Sequence, residues 1–113
     1  MRIVCVYRPP DYCADDNVLL FSALKHLADI SPRICFLGDF NLPDFNWIHH
    51  VYPDNVLYNA TADFICNHGL SQIVMQTTRG DSILDLVLTS DPICCDGVQY
   101  IAPLANSDHC MVT

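Results

Sequence analysis

The order of apolar patterns along the chain predicts a mixed β-sheet covered by helices. Three observations carry this expectation. Short apolar runs bounded by proline or glycine read as buried strands. Two longer segments repeat their apolar residues at helical spacing. The two patterns follow one another as β-α-β-α-β-β-β, which suits a sheet with helices packed on it.

Each element follows from its own residues. Arg2 to Tyr7 reads as a buried strand, closed by Arg8-Pro9-Pro10, because proline cannot donate to a ladder. Asp15-Asp16-Asn17 is a good amino-terminal cap cluster, and behind it Leu20, Ala23, Leu24 and Leu27 recur at helical spacing as far as about Ile30. Pro32 stops that helix, and Arg33 to Leu37 forms a second buried strand running into Gly38. A polar, aromatic loop spans Asn41 to Asn55, with Pro43 and Pro53 as breakers. Tyr58 to His68 reads as a second helix, with Ala62, Phe64, Ile65 and Cys66 on its apolar side and Gly69 as its carboxy-terminal cap. Three shorter extended pieces follow, Ser71 to Gln76, Ile83 to Thr89 and Val98 to Ile101, the first two separated by the turn Thr77-Thr78-Arg79-Gly80-Asp81.

With 113 residues, half of them apolar, the chain can bury a core but has the size of one small domain at most. It begins in mid-strand, and His109-Cys110-Met111-Val112-Thr113 starts a strand-like run and stops. A complete domain normally ends in a surface segment. The expectation is therefore one domain over residues 1–113 that is part of a larger one, truncated at both ends. No apolar run reaches the roughly 20 residues that span a bilayer. The run at the amino terminus ends at Arg8, short of the roughly 7–15 residues of a signal sequence. These features point to a soluble intracellular protein.

The seven cysteines, at positions 5, 13, 35, 66, 94, 95 and 110, include no Cys-x-x-Cys pair of the kind zinc sites use. Cys5, Cys35 and Cys66 fall inside apolar runs, where a reduced cysteine behaves as a small hydrophobe. The formal net charge of −8, with only five Lys and Arg, runs against binding of a phosphate backbone. Clustered acids, however, are what a hard divalent cation requires.

Several residues are candidates for chemistry. Asp39 and Asn41 follow an apolar strand and a glycine; two apart in extended chain, they would project to the same side. A carboxylate and an amide there can orient a water and a phosphate oxygen, and open sheets bind ligands beyond strand ends. A plain strand-to-loop turn accounts for the pair as well. Asp85 lies within Ile83-Leu84-Asp85-Leu86-Val87-Leu88; a carboxylate buried there needs a partner, and a histidine suits it. A strand with one face open to water is the plain alternative. Asp108-His109 sets an acid beside an imidazole near a strand start, or is a polar turn with a surface histidine.

Taken in order, Tyr7 before Arg8-Pro9-Pro10, Gly38-Asp39-Phe40-Asn41, Leu84-Asp85-Leu86-Val87 and Ser107-Asp108-His109 resemble the endonuclease/exonuclease/phosphatase superfamily. This superfamily includes the apurinic/apyrimidinic endonucleases and the deoxyribonuclease I-like enzymes. Val6-Tyr7-Arg8-Pro9-Pro10, the Gly-Asp-Phe-Asn loop ending in Asn46-Trp47, and Thr78-Arg79-Gly80 before Leu84-Asp85-Leu86-Val87-Leu88-Thr89-Ser90 resemble the endonuclease domain of non-LTR (LINE-type) retrotransposons. The resemblance implies a four-layer α/β sandwich of the DNase I-like kind, α+β with two facing sheets, of which this chain is the carboxy-terminal half. It implies DNA nicking by phosphodiester hydrolysis that depends on Mg²⁺, with Mn²⁺ as a substitute. Asp39 would orient or deprotonate the attacking water, while Asn41 and His109 would contact the scissile phosphate. Asp85 would pair with His109, Asp108 would lie close to the metal, and Tyr7 would hydrogen-bond the phosphate. The implied partners are DNA, an amino-terminal half and a downstream reverse transcriptase, without a membrane. The implied location is nuclear when the substrate is chromosomal DNA.

The chain also departs from that pattern. The family's site includes an asparagine on the first strand and a metal-binding glutamate, and all thirteen acids here are aspartate. An inactive remnant lacking the glutamate is thus one alternative. A phosphatase or phosphodiesterase acting on lipid or inositol phosphates is another, since it would share the catalytic residues.

Overall fold

The computed structural model describes residues 1–77, 80, 82–91, 100–101 and 111–112. Strand β1 (Arg2–Tyr7) leads through α1 (Ala14–Ile30) into β2 (Ile34–Asp39), and α2 (Val56–Asn67) follows. Strands β3 (Ser71–Gln72) and β4 (Asp85–Thr89) complete a four-stranded sheet in the order β1-β2-β4-β3. Strands β5 (Tyr100–Ile101) and β6 (Met111–Val112) form a separate antiparallel pair. β1 lies parallel to β2, as a strand-helix-strand crossover requires. β4 runs antiparallel to both β2 and β3, so the sheet is mixed as expected.

The helices cover one face of this sheet. Phe36 on β2 meets Phe64 on α2 at 5.5 Å between ring centroids, and Phe64 meets Phe21 on α1 at 5.9 Å, both edge to face. Val6, Ile34, Leu86 and Leu88 are buried in the same core. The strand period of two sends the alternate residues to the other face. There Ile3 and Tyr7 are 62% and 65% exposed, and Cys5 is exposed, whereas Cys35 and Val87 are buried.

The described elements lie where the sequence places them, with several corrections in detail; of the expected strand Val98 to Ile101, Val98 and Gln99 lie outside the described residues. α1 is capped at Cys13 without a side-chain bond, and Asp15 and Asp16 sit in its first turn. There they favour the positive end of the helix dipole rather than capping it. The buried side of α1 runs through Phe21 and Leu24, with Leu20, Leu27 and Ala28 packed beside them. Ala23 is exposed. Pro32 biases Ser31 to extended backbone, and the helix ends there. α2 starts earlier than its apolar spacing suggests, because the Asn55 side chain accepts from the Tyr58 amide at 2.9 Å. Its buried residues are Tyr58, Thr61 and Phe64, while Cys66 is exposed. Of the three cysteines expected in the core, only Cys35 is there.

Gly69, with φ 61°, ends α2 as expected. The Leu70 amide donates to the Ile65 carbonyl at 3.0 Å across it, the six-to-one bond of a glycine-terminated helix. His68, at this end, has Nε2 3.1 Å from Asp29 Oδ1 and so links α2 to α1. The extended piece after α2 is short: only Ser71 and Gln72 pair as a strand, with one further bond from the Ile73 amide to Val87. The Asn41–Asn55 loop is not a solvated connection. Phe45 stacks on Trp47 at 3.8 Å and on Tyr52 at 4.8 Å, and Leu42, Phe45 and Trp47 are buried.

Two positions control this architecture. Gly38 has φ 143°, and a Cβ there would be driven into the Val6 carbonyl on the neighbouring strand. Gly38→Ala should destabilise the fold by about 3 kcal/mol or prevent folding, measured by urea denaturation. Phe64→Ala should cost about 3–5 kcal/mol, because Phe64 is fully buried at the junction of both helices and the sheet. Val56→Ala, at a residue 81% exposed on α2, should change stability by less than about 0.5 kcal/mol in the same measurement.

Candidate active site

The pairing register aligns three of the sequence-predicted residues. Tyr7 on β1 is paired with Asp39 on β2, and Asp39 is paired with Asp85 on β4. Directly paired residues share a face of the sheet with Cβ atoms roughly 4.5–5.5 Å apart. Tyr7, Asp39 and Asp85 thus form one row across three strands, on the face opposite the helices. Tyr7 is exposed, and both carboxylates are half-buried. Asp85 is the first residue of its strand and is half-buried rather than enclosed within it. Carboxylates opposed across a ladder repel. Such a row favours a cation or a proton donor close to it.

Asn41 differs from the expectation. It does not continue the extended chain to project beside Asp39; its φ is 49°, in the left-handed region that asparagine tolerates. Its amide hydrogen donates to Asp39 Oδ1 at 3.0 Å, an Asx turn, and its side-chain Nδ2 donates to the Arg8 carbonyl at 2.6 Å. Asn41 is buried, with 8% of its surface exposed. Asp108 and His109 lie outside the described residues, as do Thr78, Arg79 and Asp81 of the preceding turn. The structure therefore brings together Tyr7, Asp39, Asn41 and Asp85.

Arg8 belongs to the Val6–Pro10 motif but carries no role among the site residues expected from the sequence. Only 3% of it is exposed, and its guanidinium donates from Nε to the Phe40 carbonyl at 2.7 Å and from Nη2 to the Asn41 carbonyl at 2.5 Å. Nη1 makes longer contacts of 3.4 Å to Pro9 O and Asn17 Oδ1. Burial lowers its pKa from the usual arginine range, an effect opposed by Tyr58 and Asp39. The legible signal was a basic residue set between an apolar strand and two prolines, where a solvated side chain has little room.

A cleft of about 610 Å³ opens beside this loop, walled by Pro10, Pro43, Leu57 and Leu84, with Arg8 and Tyr58 at its lining. Tyr58 accepts from the Asp44 amide at 3.1 Å. Among the described residues, no three His, Cys, Asp or Glu side chains cluster closely enough to hold a metal ion. Asp39 and Asp85 offer the oxygen donors a hard cation prefers. Two carboxylates alone do not make that set, and no glutamate occurs in the chain to add to it.

Burial raises the Tyr58 pKa, which the Asp44 amide and Arg8 oppose and the Asp44 charge supports. The fold favours the neutral phenol, so this contribution to stability is complete below about pH 10, the unfolded value. It is lost as pH rises through the higher folded value. Tyr58→Phe should flatten the fall in stability above about pH 10, and at pH 7 should cost about 1 kcal/mol for the lost acceptor. Urea denaturation at pH 7 and at alkaline pH measures both.

Comparison with known families agrees with the ordered motifs. A family model described as endonuclease-reverse transcriptase matches residues 1–113. No curated protein and no solved structure matches the chain. With the whole length matched, the chain belongs to the endonuclease-reverse transcriptase family, a retrotransposon-type domain of the endonuclease/exonuclease/phosphatase kind.

Proposed function

We propose that the site carries out Mg²⁺-dependent hydrolysis of phosphodiesters in DNA, nicking one strand. The observation that carries this reading is the single row of Tyr7, Asp39 and Asp85 at one end of the sheet, with Asn41 turned in beside Asp39. Asp39 accepts the proton of the attacking water or orients it. Tyr7, with its side chain open to solvent, donates to a phosphate oxygen. Asn41 and His109 bind the scissile phosphate and offset its developing charge. Asp85 holds His109 in one tautomer. Magnesium, with Asp108 among its ligands, would supply a Lewis acid for the phosphate oxygens.

We further infer that the helix-free face of the sheet is covered by a second sheet, making the four-layer sandwich. Ile3 and Cys5 on that face are apolar and exposed, as surface awaiting a packing partner would be. That second sheet would come from an amino-terminal half, with a reverse transcriptase downstream and chromosomal DNA in the nucleus as the substrate.

A second reading is a chain that folds but does not turn over alone. It is favoured by the absence of glutamate from the sequence. Incubation of the purified chain with supercoiled plasmid and Mg²⁺ separates the two. Hydrolysis predicts nicking that falls by about 100-fold or more in Asp39→Ala, and no release of phosphate from a soluble phosphoinositide. Plasmid left intact by the wild-type chain sinks the hydrolytic reading for this polypeptide. Phosphoinositide cleavage with intact plasmid would move the substrate to inositol phosphates.

A further inference from the structure

A buried guanidinium is costly unless its hydrogens and its charge are both answered. Arg8 is one of only five Lys and Arg in a chain of net charge −8. Surface carboxylates could have paired with it at little cost, as Asp91 does with the exposed Arg33 at 3.3 Å. Arg8 feels the Asp39 charge, and its hydrogens go to neutral oxygens of Pro9, Asn17, Phe40 and Asn41.

The pattern of those bonds is specific. Phe40 and Asn41 are consecutive, yet both carbonyls accept from the same side chain, one from Nε and one from Nη2. In an extended chain successive carbonyls point to opposite sides. Both can face one guanidinium here because Asn41 takes its left-handed conformation. The Arg8 backbone engages the same stretch: its amide donates to the Asp39 carbonyl at 2.8 Å, and its carbonyl accepts from Asn41 Nδ2. One residue thus holds Asp39, Phe40 and Asn41 together. A lysine offers one flexible point charge and cannot reproduce the two-pronged contact.

We propose that Arg8 is the positioning residue of this site, locking Asn41 in its left-handed conformation and so fixing Asn41 relative to Asp39. This rests on the reading of Asp39 and Asn41 as site residues. With 3% of its surface exposed, Arg8 acts through Asn41 rather than by touching substrate. Its charge also lies behind the Asp39–Asn41 turn and acts on Asp39.

The test has two arms. In the first, NMR of the full chain follows hydrogen exchange of Arg8 Hε and the Asn41 side-chain amide, and the backbone coupling that reports the Asn41 φ. The expected result is slow exchange at both groups and a positive φ in the wild-type chain. In Arg8→Lys, the Asn41 amide should exchange freely while thermal unfolding stays cooperative. Rapid Arg8 Hε exchange in the wild type overturns the proposal, and this holds even if the variant does not fold. So does an Asn41 unchanged in a folded Arg8→Lys.

The second arm measures plasmid nicking in a double-mutant cycle of Arg8→Lys and Asn41→Gly, glycine being free to keep the positive φ. Arg8→Lys alone should lower kcat by about 100-fold, the scale of a small misplacement of a reacting group, with KM little changed because the charge is kept. In the Asn41→Gly background the same change should cost less than about 5-fold, as coupled residues are not additive. Equal losses in both backgrounds overturn the proposal. A wild-type chain without nicking removes the hydrolytic reading, and the exchange measurements then decide the role of Arg8 alone.

Discussion

The site end of the sheet depends on β2 lying between β1 and β4 with no side chain at Gly38. The Val6 carbonyl occupies the space where a Cβ would stand. That close approach lets β1 and β2 remain paired as far as Tyr7 and Asp39, the last residues of both strands. Had the strands parted one residue earlier, Arg8 would have no reason to follow the Asp39 carbonyl. The bonds from Arg8 to Phe40 and Asn41 would then have no anchor.

From this contact the rest follows as a sequence of supports. The aromatic junction of Phe21, Phe36 and Phe64 packs both helices on one face and leaves the other for the polar row. The antiparallel return of β4 brings Asp85 opposite Asp39, and the Phe40 amide extends that pairing by donating to Leu84 at 2.9 Å. Chain leaving β2 is then turned by Asn41 and held by Arg8, while the Trp47–Phe45–Tyr52 stack gives the long loop its own small core. Asp39 and Asn41 are thus tied by hydrogen bonds to one another and to the backbone of Arg8.

Local order was legible in the residues wherever one segment alone decides its conformation. Pro32, Gly69 and the apolar periodicity placed two helices and the principal strands, because capping and burial depend on near neighbours in the chain. The ordered motifs also named the family. Reading burial from the sequence was weaker: Ala23, Cys5 and Cys66 look apolar enough for a core yet stand exposed. Which side of an element is covered is settled by what packs against it, and single-segment patterns do not contain that.

Asp39 and Asp85 were each recognisable from their own surroundings, as a turn beyond a strand and an acid among apolar residues. That they stand opposite one another is a matter of strand register, set by pairing across 46 positions of chain. Arg8 shows the same division. As a letter between an apolar strand and two prolines it reads as a strand terminator, and that reading holds. Its larger role exists only because parallel pairing brings residue 8 against residues 39 to 41, more than thirty positions away. The sequence by itself determined which residue types were present and where the chain turns. Tertiary structure decided which carbonyls a buried guanidinium would meet, since hydrogen bonds between distant segments depend on the whole sheet being in register.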